Sequence, residues 1–226
     1  PKAVNRACNS NHEMYTGGKA YFKHTLSKFD QKASYFALQN DHWILCGIDT
    51  AYEDKDLAKD QALWLHNIAA NRGSRKLILF SHHQPFSWLE EQHPKLVGKI
   101  GHLLQGGHIF GWYWGHEHRC VLYEQHPQWK LNGRCVGHGG YPYFRRDWLQ
   151  LGGTKDPSNS NWFMLPGKGF APGGRVVDGP NPLIGGHDDP NKYGPQGYMS
   201  VEFSGPHINE VVHAPDGTIL YQRQLV

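Results

Sequence analysis

Lys76-Leu77-Ile78-Leu79-Phe80-Ser81-His82-His83 is the stretch that decides the fold. Its continuous apolar run is short, bounded by polar residues, and typical of a strand buried on both faces in a parallel sheet. Strands of that kind need crossover helices, and the flanking sequence supplies them. Residues 56–71 carry Leu57, Trp64, Leu65 and Ile68 along one helical face, with Gly73 placed to stop the helix. Residues 94–104 predict a second amphipathic helix, and residues 108–114 a strand ending at Gly115. Residues 119–124 and 134–136 read as further strands. Upstream, residues 33–38 and 42–48 are strand formers joined by a hairpin turn at Gln39-Asn40-Asp41, and residues 17–29 have helical spacing. The predicted class is α/β.

From residue 137 to 197 the composition shifts to Gly, Pro, Asn and Asp, over a length that exceeds an ordinary connection. Trp148, Trp162, Phe163 and Phe170 within it predict an ordered loop or insertion rather than a free linker. Residues 198–203, 208–213 and 218–222 alternate and contain the turn signal Pro215-Asp216-Gly217, which predicts an antiparallel meander closing a sheet. Residues 1–226 therefore read as a single domain. With 8 Trp, 11 Tyr and 10 Phe, rings supply much of the core, and disorder over the whole length is excluded. The net charge of +3 comes from 23 basic and 20 acidic residues scattered along the chain, so no electrostatic footprint for nucleic acid is present. Cys8, Cys46, Cys120 and Cys135 form no CxxC pair and read as thiols. No stretch approaches the roughly 20 apolar residues of a membrane helix, and the sequence names no compartment.

Histidine stands out, at 16 of 226 residues and without a polyhistidine run. Three pieces share one chemistry: Asn11-His12-Glu13, Ser81-His82-His83, and Gly115-His116-Glu117-His118. Each places imidazole or amide oxygen where a strand is expected to give way to a loop, and in open α/β sheets the carboxyl ends of strands are where ligands collect. Two apart in an extended chain, His116 and His118 would point to one side, with Glu117 facing away. Neutral imidazoles with an asparagine carbonyl suit a divalent metal such as zinc, manganese or iron. His82 continues the buried strand directly, which favours it over His83 as the ligand.

In this order and with this intervening text, the three pieces resemble the third, fourth and fifth motifs of the calcineurin-like metallophosphoesterase family. Met14-Tyr15-Thr16-Gly17-Gly18, Ser34-Tyr35-Phe36 and Asp49-Thr50 add to the likeness, while Ser10 stands where the family motif usually carries Gly. The resemblance implies a four-layer α/β/β/α sandwich with two central sheets. It implies two divalent ions, with Asn11, His82 and His116 on one and His118 on the other. His12, oriented by Glu13, would protonate the leaving oxygen or stabilise charge on the phosphoryl group, and a metal-bound hydroxide would attack the phosphorus of a phosphomonoester or phosphodiester. His138, in Gly137-His138-Gly139-Gly140, falls near the expected substrate mouth. Trp112, Tyr113 and Trp114 are expected in the core, and Asp49 as a carboxylate bracing a loop.

The family's DxH and GDxxD motifs, which supply the bridging aspartate, are missing. Ten residues precede Asn11, too few for the βαβ unit of about 30 or more residues that would carry them. The chain therefore reads as the C-terminal portion of such a domain, with the N-terminal βαβ portion belonging to an upstream segment or a complementing chain. His187-Asp188-Asp189 has its carboxylates in the wrong order and reads as a loop. The same absence supports an alternative, an inert phosphoesterase-like module that binds a partner or a single metal.

Overall fold

In the computed structural model, which describes residues 3–226, the decisive run is strand β3 (Lys76–Ser81), and Leu77, Ile78 and Leu79 are fully buried. It lies inside a sheet whose other strands are β1 (Phe36–Gln39), β2 (Trp43–Gly47), β4 (Ile109–Trp114), β5 (Cys120–Gln125), β6 (Asn132–Val136), β7 (Thr154–Lys155), β8 (Trp162–Leu165) and β9 (Gly174–Val177). Their order is β1-β2-β3-β4-β6-β5-β9-β8-β7. The central four, β2, β3, β4 and β6, are parallel. Antiparallel strands flank them on both sides.

The predicted helix at 56–71 begins only at Gln61, as α3 (Gln61–Ala70). Lys55 and Lys59 are in the left-handed region, at φ 61° and 53°, and cannot continue a right-handed helix. The helix predicted at 94–104 is two short ones, α4 (Pro94–Lys99) and α5 (Gly101–Gln105), interrupted at Ile100. Residues 17–29 turn at Gly17 and Gly18, both with positive φ, then wind as a π-helical turn (Tyr21–Thr25) into α2 (Leu26–Lys28). Within the 137–197 stretch, strands β7 to β9 extend the large sheet, so the segment is structural as well as loop.

The predicted meander forms, as β10 (Tyr198–Ser204), β11 (His207–His213) and β12 (Ile219–Gln224), but as a sheet of its own. It packs face to face on the large sheet: Ile208, Val201 and Phe203 meet Trp43, Ile78 and Tyr113. Trp43 Nε1 ties the layers by donating to Gly205 O at 2.7 Å. The opposite face of the large sheet buries Leu65, Ala69, Leu96, Leu103, Trp112 and Trp114 under the helices. Three layers result, helices, large sheet and small sheet. The fourth layer of the expected sandwich is not seen among the described residues, and the outward positions of β10, Tyr198, Ser200, Glu202 and Ser204, are exposed.

The chain over residues 3–10, before the first helix, has no ladder hydrogen bonds of its own and meets the end of β3 at Cys8, whose Sγ lies 3.9 Å from Phe80 O. A side-chain amide holds it instead. Gln31 accepts from Ala7 N at 2.9 Å and donates to Ala7 O at 3.0 Å, and Tyr21 donates to the same oxygen at 2.9 Å. Asn9 donates to the buried Asp49 carboxylate, which also accepts from Ala51 N and Tyr52 N and so braces the loop after β2. Among the described residues no helix is long and apolar enough to cross a membrane, and all four cysteines are free.

Candidate metal centre

Ser81 and Trp114 pair at the ends of the parallel strands β3 and β4. The chain leaving each strand therefore reaches the same place, and a backbone lock holds it there. His82 O accepts from Gly115 N at 3.2 Å and from His116 N at 2.9 Å. Helix α1 (Asn11–Met14) brings Asn11 to this point from the N-terminal segment.

Asn11 Oδ1 lies 2.6 Å from His82 Nε2, and His116 Nδ1 lies 2.9 Å from the same nitrogen. One proton on His82 Nε2 cannot serve both neighbours, because an N–H toward Asn11 leaves His116 facing no lone pair, and a lone pair toward His116 repels the Asn11 oxygen. A cation at the shared point satisfies all three. His82, His83 and His116 also present ligand atoms within 4.8 Å of one another. Burial, reinforced by His83 and His116, pushes His82 down to about 2. Burial, reinforced by His116 and His93, pushes His83 down to about 3. These imidazoles are neutral near pH 7, the form that ligates metal.

The other predicted site residues are placed differently. His118 is not part of that contact. The segment His116-Glu117-His118 is a turn and not an extended chain, closed by His118 N donating to Gly115 O at 3.3 Å, with His118 at φ 53°. Its ring instead faces His12 and Tyr141, at centroid distances of 5.5 and 5.3 Å. His12 is exposed, 6.4 Å from the His82 ring. Glu13 does not brace it: its carboxylate accepts from Ser10 N at 3.1 Å and from the Ser10 hydroxyl, completing a capping box at the start of α1. Glu117 is buried, accepting from Trp114 Nε1 at 2.8 Å and Ser87 Oγ at 2.6 Å, and burial raises its pKa to about 7.

A cavity of about 710 Å³ opens in front of Asn11, His12, His116 and His118. Arg119, Arg145 and Arg146 also line it. Arg145 is paired with Asp178, while Arg119 is buried against the Tyr143 ring. The mouth thus sets guanidinium groups, and the carboxylates of Glu90 and Glu117, around a neutral ligand cluster. His138 does not reach this cavity; it is fully buried, and neither ring nitrogen has a partner. Glu90 and Tyr141 join the site without any sequence signal, since they come from loops with no characteristic spacing. Glu90 Oε2 stands 3.5 Å from His116 Nε2.

The sequence matches no protein-family model and no curated protein.

Proposed function

We propose that this chain carries one half of a metallophosphoesterase centre, in which Asn11, His82 and His116 hold a divalent ion. The supporting observation is the crowding of three uncharged donor atoms on one point, from residues separated by 71 and 34 positions. A divalent ion bound there supplies Lewis acidity toward a phosphoryl oxygen and acidifies water. The residues of this chain do the rest. His118, across the mouth, contributes to a second ion whose carboxylate ligands lie on the DxH and GDxxD segments of an upstream or complementing polypeptide. His12 delivers a proton to the leaving oxygen of a phosphomonoester or phosphodiester, and the arginines at the mouth attract the anionic substrate. In this reading the upstream βαβ portion also completes the four-layer sandwich.

The alternative, an inert module that binds a partner or one ion, draws support from Glu13, whose carboxylate is occupied by Ser10 instead of orienting His12. The test is aryl-phosphate hydrolysis in manganese, zinc or iron by a protein that includes the missing aspartates. His12→Ala is expected to lower turnover by about two to four orders of magnitude with metal content intact. Unchanged turnover removes His12 from the mechanism, and no turnover in the parent protein leaves the inert reading.

A further inference from the structure

On the far side of His116 lies a second set of donors that the reading above does not use. His83 is fully buried. Its backbone N donates to Thr50 Oγ1 at 3.0 Å, and its Nδ1 is 2.9 Å from Thr50 O. A ring nitrogen against a carbonyl oxygen carries the proton, so the lone pair is on Nε2. That Nε2 has no hydrogen-bond partner, and 3.7 Å away stands Asp54 Oδ1. His93, the residue before α4, is 6% exposed, and its Nε2 is likewise buried without a partner. The two rings stand edge to face, with centroids 5.6 Å apart. Glu90 completes the set from the loop between them, and both Glu90 and Asp54 act electrostatically on His93.

Buried polar atoms are nearly always paired, and two unpartnered imidazole nitrogens in one small region are a departure that asks for a ligand. An anion does not fit, because two carboxylates face the same region. A hydrogen-bond donor could take one lone pair, but a cation takes both and is balanced by the acids. We infer that His83 Nε2 and His93 Nε2, with Asp54 and Glu90, form a second divalent-cation site with the two-nitrogen, two-oxygen donor set that zinc takes up in tetrahedral geometry. The site is buried on its imidazole side and open on its carboxylate side, and its role is structural. It fastens the loop from His83 to His93 onto the turn after β2, and so fixes the back of His116. The carboxylates reach it by side-chain rotation, since Asp54 and Glu90 are 72% and 38% exposed. Lys55, the cation that also faces His83 and His93, is exposed and can turn outward.

The inference is independent of phosphoester hydrolysis and is tested without it, by titrating the metal-free chain with cobalt(II) as a spectroscopic stand-in for zinc. Two equivalents are expected, one with the intense visible absorption of four-coordinate cobalt. His93→Gln should abolish that absorption and one equivalent while leaving the ion that depends on His82. His82→Ala should do the reverse. Asp54→Asn, on an exposed side chain that the fold does not need, should weaken the four-coordinate ion by about tenfold or more. Unchanged stoichiometry and spectrum in both His93→Gln and Asp54→Asn would overturn the inference. So would loss of both ions in a folded His82→Ala, which would make the imidazoles one site.

Discussion

Two buried polar regions of this molecule handle their charge in opposite ways. Between the sheets, Arg134 and Glu210 are each 1% exposed. Arg134 Nε donates to both Glu210 oxygens at 2.9 Å, its Nη1 donates to Tyr123 O and Gly133 O at 2.8 Å, and Tyr113 donates to Glu210 Oε1 at 2.6 Å. Only Arg134 Nη2 is left without a partner. At the carboxyl ends of β3 and β4 the reverse holds: His82 Nε2 is contested by two neighbours, and His83 Nε2 and His93 Nε2 are buried without partners. The first region answers its own polarity and pins β11 to the large sheet. The second leaves its polarity unanswered within the chain, and its His82, His83 and His116 could hold a metal ion.

Glu210→Leu gives the largest effect expected from this contrast. It strands Arg134 in the interface and should cost about 3–5 kcal/mol in urea unfolding, with Arg134→Met added to it recovering much of the loss. A loss below about 1 kcal/mol would show that water reaches the interface and that the two regions are less different than their geometry suggests. His138 probes a fully buried imidazole away from the cluster. Burial pulls it from 6.5 to about 4. The unfolded chain therefore takes up its proton first, so the contribution is intact above pH 6.5, declines as pH falls toward 4, and levels off below. The decline amounts to about 3 kcal/mol between pH 7 and 4. His138→Leu should be flatter than the parent by that amount, and equal slopes would mean that His138 finds a partner in solution. The smallest effect concerns the cluster itself. Zinc at about a hundred times its Kd should stabilise the parent by about 2.7 kcal/mol per independent site. His82→Ala should lose one such increment while keeping the stability of the metal-free parent within about 1 kcal/mol.

Much of the scaffold was legible because its strongest signals are local. Leu77 to Phe80 admitted one reading, and the burial of Trp112 and Trp114 followed from their place in the next strand. The sheet extension by β7, β8 and β9 was not legible, since strands of two to four residues in a Gly- and Pro-rich background show no period. The late start of α3 depends on left-handed backbone at two lysines, which no propensity announces. At the site, Asn11, His82 and His116, which the motif order joins, lie in contact. The extended-chain reading that put His116 and His118 on one side fails, because His118 is left-handed and its segment turns. Glu13 does not orient His12, because the nearer Ser10 closes a capping box with it. Glu90, His93 and Asp54 lie in irregular loops, and only the tertiary arrangement reveals them.

The grip of Gln31 on Ala7 has a kinetic consequence. Side chains do there what a neighbouring strand would do, Gln31 and Tyr21 at Ala7 and Asp49 at Asn9, so the N-terminal segment can open without breaking any ladder of the sheet. Asn11 leaves with it. Under the proposed metal role, an ion at His82 would be captured and released at the rate of this local opening, and would in turn slow amide exchange along residues 7–11. Segment and ion would then act as each other's latch.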